Sequence, residues 1–238
     1  MSVFRSIVLS AVVAGFVVGT AVTAVQLFST VPLILKAEVY ERGATNAAAK
    51  PGPAARERSN HQHADHEHGV AAWEPKDGLQ RNSFTAAANI LTAIGFALLL
   101  SGVYALRGHP VTWHEGLLWG LGGFLVFTAA PGLGLPPELP GVAAAPLELR
   151  QIWWVAAAAA TASGLGLIVL RPSAWAAVLG FCLIISPHLV GAPQLAGSHT
   201  DVPEALSHQF VVAVTLTSFL SWVMLGSLTS VAYRWFSA

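Results

Sequence analysis

Six long stretches without Asp, Glu, Lys or Arg run through this chain of 238 residues: 6–35, 83–106, 116–135, 151–170, 172–190 and 209–233. Each is close to the roughly 20 residues that a helix needs to cross the hydrocarbon core of a bilayer. An isolated apolar segment satisfies its backbone in lipid only by coiling into a helix. The sequence therefore predicts an all-α, polytopic transmembrane helical bundle of about six spans. The number falls to five if the third or the fifth run, both short and ended by prolines, is not a full span.

Composition agrees with this prediction. Charged residues make up 10% of the chain and hydrophobic residues 54%, whereas soluble domains carry roughly 25% charged residues. The net charge is zero, so nothing points to a nucleic-acid partner, and the bilayer is the expected surrounding. Cys182 is the one cysteine, which leaves no internal disulfide and suits a small packing residue.

The first apolar run has some features of a signal peptide, with a basic start at Arg5 and an Ala-x-Ala-like spot near Ala24. Its apolar part is much longer than the roughly 7–15 residues of a cleavable signal. We therefore expect a retained first helix. If it were removed, five spans would remain.

Residues 36–82 form the one substantial polar segment. They hold seven acidic and seven basic residues, 14 of the 24 charges in the chain. We interpret 1–238 as a single membrane domain and 36–82 as an extramembrane, histidine-containing loop between the first two spans. The middle of this loop, 43–70, has no core-forming pattern and is expected to be a mobile linker. Ser83 is the predicted N-cap of the helix that follows.

The polar loop carries a string of histidines at His61, His63, His66 and His68, with Asp65 and Glu67 between them. Imidazole and carboxylate groups suit Co, Ni, Zn or Cu. A flexible loop can wrap such ligands around an ion, but it cannot impose the geometry that selects one metal. The alternative is a polar spacer that happens to be rich in histidine. We expect metal capture by this string.

A second set of polar residues falls at one end of the predicted bundle. With six spans, the helix ends on the side of the histidine string carry Glu38, Tyr40, Glu41, Arg81, Glu138, Arg150, Gln151, His188, His208 and Gln209. Such clustering fits an ion vestibule and fits ordinary interfacial anchoring equally well. His188 stands out because a titratable group inside a span is costly and usually functional. Pro187 beside it frees a backbone carbonyl that is a candidate for lining an ion path.

The short loops bear on orientation. Arg5, Arg107, Arg171 and Arg234 lie on one side, whereas the short loops on the histidine side carry four acidic residues against Arg150 alone. By the positive-inside rule, the termini are cytoplasmic. The long loop has seven basic residues, and counting it would reverse this result. We set it aside because its basic residues are mixed with acidic ones and are partly distant from the helix ends.

Small residues recur at helical spacing in two spans. Gly15 and Gly19 form one pair and Gly116 and Gly120 another. Pairs of this kind let two helix backbones approach closely in lipid. We expect both pairs to lie at helix–helix contacts.

Several motifs of common function classes do not occur. The chain has no P-loop sequence, no G-x-S-x-G, no H-E-x-x-H and no C-x-x-C-H, which disfavours ATP binding through a P-loop, a lipase, a zinc protease and a c-type haem protein. A haem enzyme would need two facing histidines inside the bundle, and His188 is the one candidate within a span. We therefore predict that the protein is not an enzyme.

The ordered segments together resemble the CbtA-type cobalt transporter subunit family. The likeness covers almost the whole chain and rests on VPLILKAEVYE at 31–41, the histidine-rich loop, DGLQR at 77–81, GLPPELPG at 134–141, RQIWW at 150–154 and PHLVGAPQ at 187–194. The family is regarded as a probable bacterial cobalt importer associated with cobalamin synthesis. It is usually paired with a small, one-span, histidine-bearing CbtB-type subunit.

The resemblance implies cobalt, which histidines alone do not specify, and a multi-pass protein of the bacterial inner membrane. It implies Co²⁺ as the transported ion and no tightly bound cofactor. On this basis, we expect the histidine string to capture cobalt at the outer face. Glu38, Glu41 and His188 would then pass it across the membrane, with Tyr40, Arg81, Glu138, Arg150 and Gln151 in support.

One alternative stays open. The chain would then be a non-transporting scaffold or accessory subunit of a larger membrane complex. Its docking surface would be formed by Gly15, Gly19 and the tryptophans.

Overall fold

The computed structural model describes residues 2–48, 75, 76, 78–195, 200 and 202–237, and every regular element within these ranges is a helix. The elements are α1 (Val3–Phe28), α2 (Thr30–Ala48), α3 (Leu79–Arg107), α4 (Trp113–Phe124), a π-helical turn (Leu125–Ala129), α5 (Ala130–Gly134), α6 (Leu147–Leu170), α7 (Ala174–Val190) and α8 (Glu204–Ser237). The prediction of an all-α, polytopic membrane bundle is confirmed.

Five helical segments in the described ranges are long and apolar enough to cross a membrane: α1, α3, the continuous segment Trp113–Gly134, α6 and α8. The fifth predicted run became α7, which has 17 residues. At 1.5 Å per residue α7 is about 26 Å long, a little less than the roughly 30 Å hydrocarbon core. The fifth run is therefore shorter than a full span, which the sequence prediction allowed. The third run, for which the same was allowed, forms a full-length helical segment.

The first apolar run does not form one helix, because it breaks at Ser29. Pro32 has no N–H to donate to the carbonyl of Phe28 four residues earlier, and its ring crowds that carbonyl. α1 accordingly ends at Phe28 and α2 starts at Thr30. The predicted loop 36–82 is therefore helical at both ends, through Ala48 in α2 and from Leu79 in α3. The prediction that Ser83 is the N-cap of the next helix is wrong. Ser83 lies inside α3, and its hydroxyl donates to the Leu79 carbonyl at 2.7 Å.

Glycines bring the central helices into direct backbone contact, as the sequence predicted. A Cβ built on Gly15 would lie 2.5 Å from the backbone nitrogen of Ile94 in α3, and one on Gly116 would lie 2.5 Å from the Gly226 carbonyl in α8. The Gly15 and Gly19 face thus packs against α3 and does not offer the outward docking surface that the scaffold alternative required. Of the tryptophans in that alternative, Trp222 is buried, whereas Trp113, Trp175 and Trp235 are exposed.

A π-helical turn interrupts the third span just before Pro131. Since Pro131 cannot donate a hydrogen bond, the backbone widens by one residue, and the amide of Ala130 donates to the Leu125 carbonyl instead. The turn places Phe127 against Phe96 of α3 and Trp222 of α8, with ring centroids 5.1 and 5.6 Å apart. Phe96 and Trp222 are themselves 4.7 Å apart.

The helices alternate in direction, so the polar segments collect at one end of the bundle. α2, residues 135–146 and the start of α8 share a small apolar core there, formed by Ala37, Leu139, Val202 and Phe210. We call this end the loop face. Two of the segments that carry the family resemblance, 31–41 and 134–141, contact each other at this face.

Candidate functional site

A cavity of about 420 Å³ lies inside the bundle between α1, α2, α3, the π-helical turn and α8. Its lining contains two amides and a series of hydroxyls: Gln26, Asn89, Thr30, Thr85, Thr92, Thr128, Thr217, Ser218 and Ser221. Among the described residues that line it, Arg81 alone carries a formal charge. Apolar side chains such as Val22, Ile34 and Phe210 make up the larger part of the lining, so the cavity is a mixed polar and apolar space that is almost uncharged.

The cavity extends from the loop face deep into the bundle. Arg81 marks its outer end and Phe96 its inner end on the same helix, which is roughly 22 Å along the α3 axis at 1.5 Å per residue. Phe96, Phe127 and Trp222 lie side by side at the inner end. We call these three rings the aromatic floor. The cavity therefore covers most of the thickness of a bilayer core and stops at this floor.

Asn89 links two walls of the cavity. Its Nδ2 donates to Gln26 Oε1 at 2.7 Å and to Thr23 Oγ1 at 3.0 Å, so α3 is joined to α1. Sequence reasoning missed this cluster because it concentrated on charged groups and histidines. The signal was present, since Gln26 and Asn89 are amides within two otherwise apolar runs, where polar side chains commonly hydrogen-bond between helices.

Glu38 and Arg81 form an ion pair at the outer end of the cavity. The carboxylate of Glu38 contacts the guanidinium of Arg81 directly and that of Arg42 at 3.2 Å. The side chains of Glu38 and Arg81 are only 16% and 29% exposed, so water screens this pair less than a surface pair. A cation that approaches Glu38 must compete with Arg81.

Glu41 lies one turn further along α2, beneath the turn at Gly141. Gly141 has a φ of +81°, and a Cβ there would lie 3.3 Å from Glu41 Cβ, so glycine suits both the backbone and the space. The Gly141 carbonyl accepts a hydrogen bond from Thr200 Oγ1 at 3.3 Å. This packing holds Glu41 at the loop face near the cavity end. Tyr40 beside it is 40% exposed.

His188 lies in a different part of the loop face, where α7 packs against α6. Its ring meets Trp153 edge-on at 5.7 Å, and Trp153 Nε1 donates to the Pro187 carbonyl at 3.2 Å. Pro187 frees the carbonyl of Leu183, but the hydroxyl of Ser186 donates to it at 2.9 Å. The carbonyl that was expected to line an ion path therefore accepts a local hydrogen bond instead.

Two more of the predicted supporting residues form a pair beside Trp153. Arg150 at the start of α6 contacts the Glu138 carboxylate at 2.9 Å. Gln151 is exposed on the same turn. The Arg150–Glu138 pair ties α6 to residues 135–146 and so holds the loop face together.

The structure does not gather Glu38, Glu41 and His188 into one site. In the described part of the chain, no group of three His, Cys, Asp or Glu side chains is placed to hold a metal ion. The role of each as a ligand stays a prediction. His61, His63, His66 and His68 lie outside the described residues, and metal capture by them stays a prediction as well.

The apolar, membrane-length helices define a polytopic helical membrane protein. A family model described as "Probable cobalt transporter subunit (CbtA)" matches residues 4–234, and the chain belongs to this CbtA family. No curated protein and no solved structure matches the chain. The resemblance predicted from the sequence motifs is confirmed.

Proposed function

We propose that this chain is the membrane subunit of a cobalt uptake transporter, and that Co²⁺ crosses the bilayer through the cavity between α1, α3 and α8. The observation that carries the proposal is the depth and chemistry of that cavity. It extends from the Glu38–Arg81 pair to the aromatic floor, and hydroxyl and amide groups line it. Polar groups that face an open space inside the bundle suit water and a small hydrophilic ion.

The path begins at the outer surface. The histidine string captures the metal there, and Glu38 and Glu41 attract it toward the outer end of the cavity. Phe96, Phe127 and Trp222 close the inner end in this conformation, so the ion passes only when these rings separate. We propose that the protein resides in a bacterial inner membrane with cytoplasmic termini, because four isolated arginines occupy the opposite side.

The membrane potential can supply the driving force. A divalent ion that enters an inside-negative cell at about 100 mV gains roughly 4.6 kcal/mol, from 2.3 kcal/mol per charge. We propose that a small one-span CbtB-type subunit completes the transporter. ATP is not required in this chain.

Reconstitution into vesicles tests the proposal. The chain is inserted with and without the small subunit, a potassium gradient with valinomycin sets the voltage, and cobalt entry is followed with a trapped fluorescent indicator. We expect entry that grows with inside-negative voltage and needs this chain. Vesicles without protein and vesicles at zero voltage are the controls. If cobalt entry with both subunits equals that of empty vesicles, the proposed function is wrong.

A further inference from the structure

We infer that the cavity takes the divalent cation together with its hydration water, and that Asn89, Gln26 and the surrounding hydroxyls bind this water rather than the metal. The inference rests on the proposed function and deepens it, because it states the form in which the ion is carried. The ligand class is thus a hydrated divalent cation of roughly octahedral shape.

The first argument is the chemistry of the lining. Direct binding of a transition metal in proteins uses imidazole, thiolate or carboxylate ligands, and none of these lines the cavity. Stripping the water from a divalent ion and surrounding it with a few neutral hydroxyls would leave most of its hydration energy unreplaced. An ion that keeps its water spreads its charge over many hydrogen bonds, and bonds through water are nearly as favourable as direct ones.

The second argument is space. Six waters need about 180 Å³ at a liquid share of about 30 Å³ each. The cavity has about 420 Å³, enough for a six-water complex and further water around it. A site built for a bare ion would be much smaller.

The third argument is that several hydroxyls in the cavity form no hydrogen bond within the described part of the protein. Within the described residues, the side chains of Thr92, Thr128, Ser218 and Ser221 show no hydrogen bond to another group. Packing between helices explains the Asn89–Gln26 bond but not these hydroxyls. They lie on three walls, namely α3, the π-helical turn and α8, and therefore surround the space in which a hydrated ion would bind.

Cobalt(III) hexaammine is the probe that isolates this form of binding. It has nearly the size and shape of a six-water cobalt ion, and its ammonia ligands donate hydrogen bonds as metal-bound water does. These ligands do not exchange, so neither the histidine string nor a carboxylate can coordinate the metal directly. Any binding must be through the outer surface of the complex.

The test measures equilibrium dialysis of cobalt(III) hexaammine against the purified full-length chain in detergent. We compare the wild type with Asn89→Leu and Thr128→Val, neither of which changes the charge of the chain. Thr20→Val is the matched control, because Thr20 is exposed and its hydroxyl donates only to the Phe16 carbonyl of its own helix, at 2.8 Å. Thermal unfolding of every variant checks that it folds. If Asn89→Leu does not fold, Ser221→Ala replaces it beside Thr128→Val.

We expect the dissociation constant to rise about tenfold for Asn89→Leu and about threefold for Thr128→Val, and to stay within about twofold for Thr20→Val, as the loss of one or two hydrogen bonds predicts. The inference is overturned if the wild type does not bind the complex, or if folded cavity variants bind it as tightly as the wild type. Cobalt entry into vesicles without hexaammine binding would overturn this inference and leave the proposed function standing. Hexaammine binding without cobalt entry would contradict the proposed function and leave the binding of a hydrated ion in the cavity standing.

Discussion

At the scale of single residues, Glu38 connects the candidate site to the rest of the loop face. Its carboxylate is held between Arg42 from the next turn of α2 and Arg81 from α3. Arg81 is the one charge among the described residues that line the cavity. Glu38 therefore compensates a positive charge that would otherwise repel an incoming cation.

Replacing Glu38 tests this compensation. We expect Glu38→Gln to lower the initial rate of cobalt uptake roughly tenfold. A divalent ion about 10 Å from an uncompensated unit charge is disfavoured by about 1.7 kcal/mol at an effective dielectric constant of about 40. The double variant Glu38→Gln with Arg81→Gln removes both charges and should recover much of the rate. Glu148→Gln, an exposed carboxylate on the same face, is the control. A normal rate in Glu38→Gln would contradict the compensation.

His188 calls for a pair of variants, because its ring both packs against Trp153 and offers nitrogen ligands. His188→Phe keeps an aromatic edge on Trp153 and removes both nitrogens. As a proposed ligand outside the cavity, His188 would raise the local concentration of metal without setting the maximal rate. We expect His188→Phe to lower uptake at limiting cobalt and to leave it unchanged at saturation. Equal uptake at every concentration would assign His188 to packing alone, and the folding of His188→Ala would measure that packing.

At the scale of helices, close backbone contacts hold the bundle together. A Cβ built on Gly226 in α8 would lie 2.7 Å from Gly120 Cα in α4, whereas one on Gly102 in α3 would meet nothing within 4 Å. In lipid there is little hydrophobic drive between helices, so packing at such crossings determines stability. The two positions form a natural comparison.

We expect Gly226→Ala to destabilise the protein by about 1–3 kcal/mol, the usual cost of overpacking against a backbone that cannot move away. Gly102→Ala should be neutral or slightly stabilising, because alanine favours a helix by roughly 0.5–1 kcal/mol over glycine. Thermal unfolding in detergent measures both. Similar melting temperatures for the two variants would show that the α4–α8 crossing is looser than the structure indicates.

The helical elements also show how far the sequence determines this fold. Apolar runs located the spanning helices, and the glycine pairs located two crossings, because both signals are local. The break at Ser29 and the π-helical turn depend on Pro32 and Pro131, and the effect of a proline on the carbonyl four residues earlier is also a local signal. The cavity was not predictable in the same way. Asn89 and Gln26 meet because of the way α3 is oriented against α1. This orientation follows from the packing of the two helices and not from a local sequence signal.

At the scale of the whole molecule, charge and polarity are divided between two regions. The cavity in the bundle offers amides and hydroxyls but almost no charge, whereas 14 of the 24 charged residues lie in 36–82. This division fits the proposed function, which contains two tasks. Capture of a scarce ion needs strong ligands, and these lie in the charged segment. Passage needs weak binding, because an ion that is held strongly inside the bundle leaves slowly.

Deleting residues 61–68 separates these two tasks. We expect the cobalt concentration for half-maximal uptake to rise about tenfold, since imidazole ligands that concentrate the metal are removed, while the maximal rate stays the same because the cavity is unchanged. Uptake is measured over a wide range of cobalt concentrations. An equal-length Gly/Ser replacement of 61–68 controls for loop length and should behave like the deletion. A lower maximal rate with an unchanged half-maximal concentration would mean that the string takes part in the passage itself, and no change in either value would reduce it to a spacer.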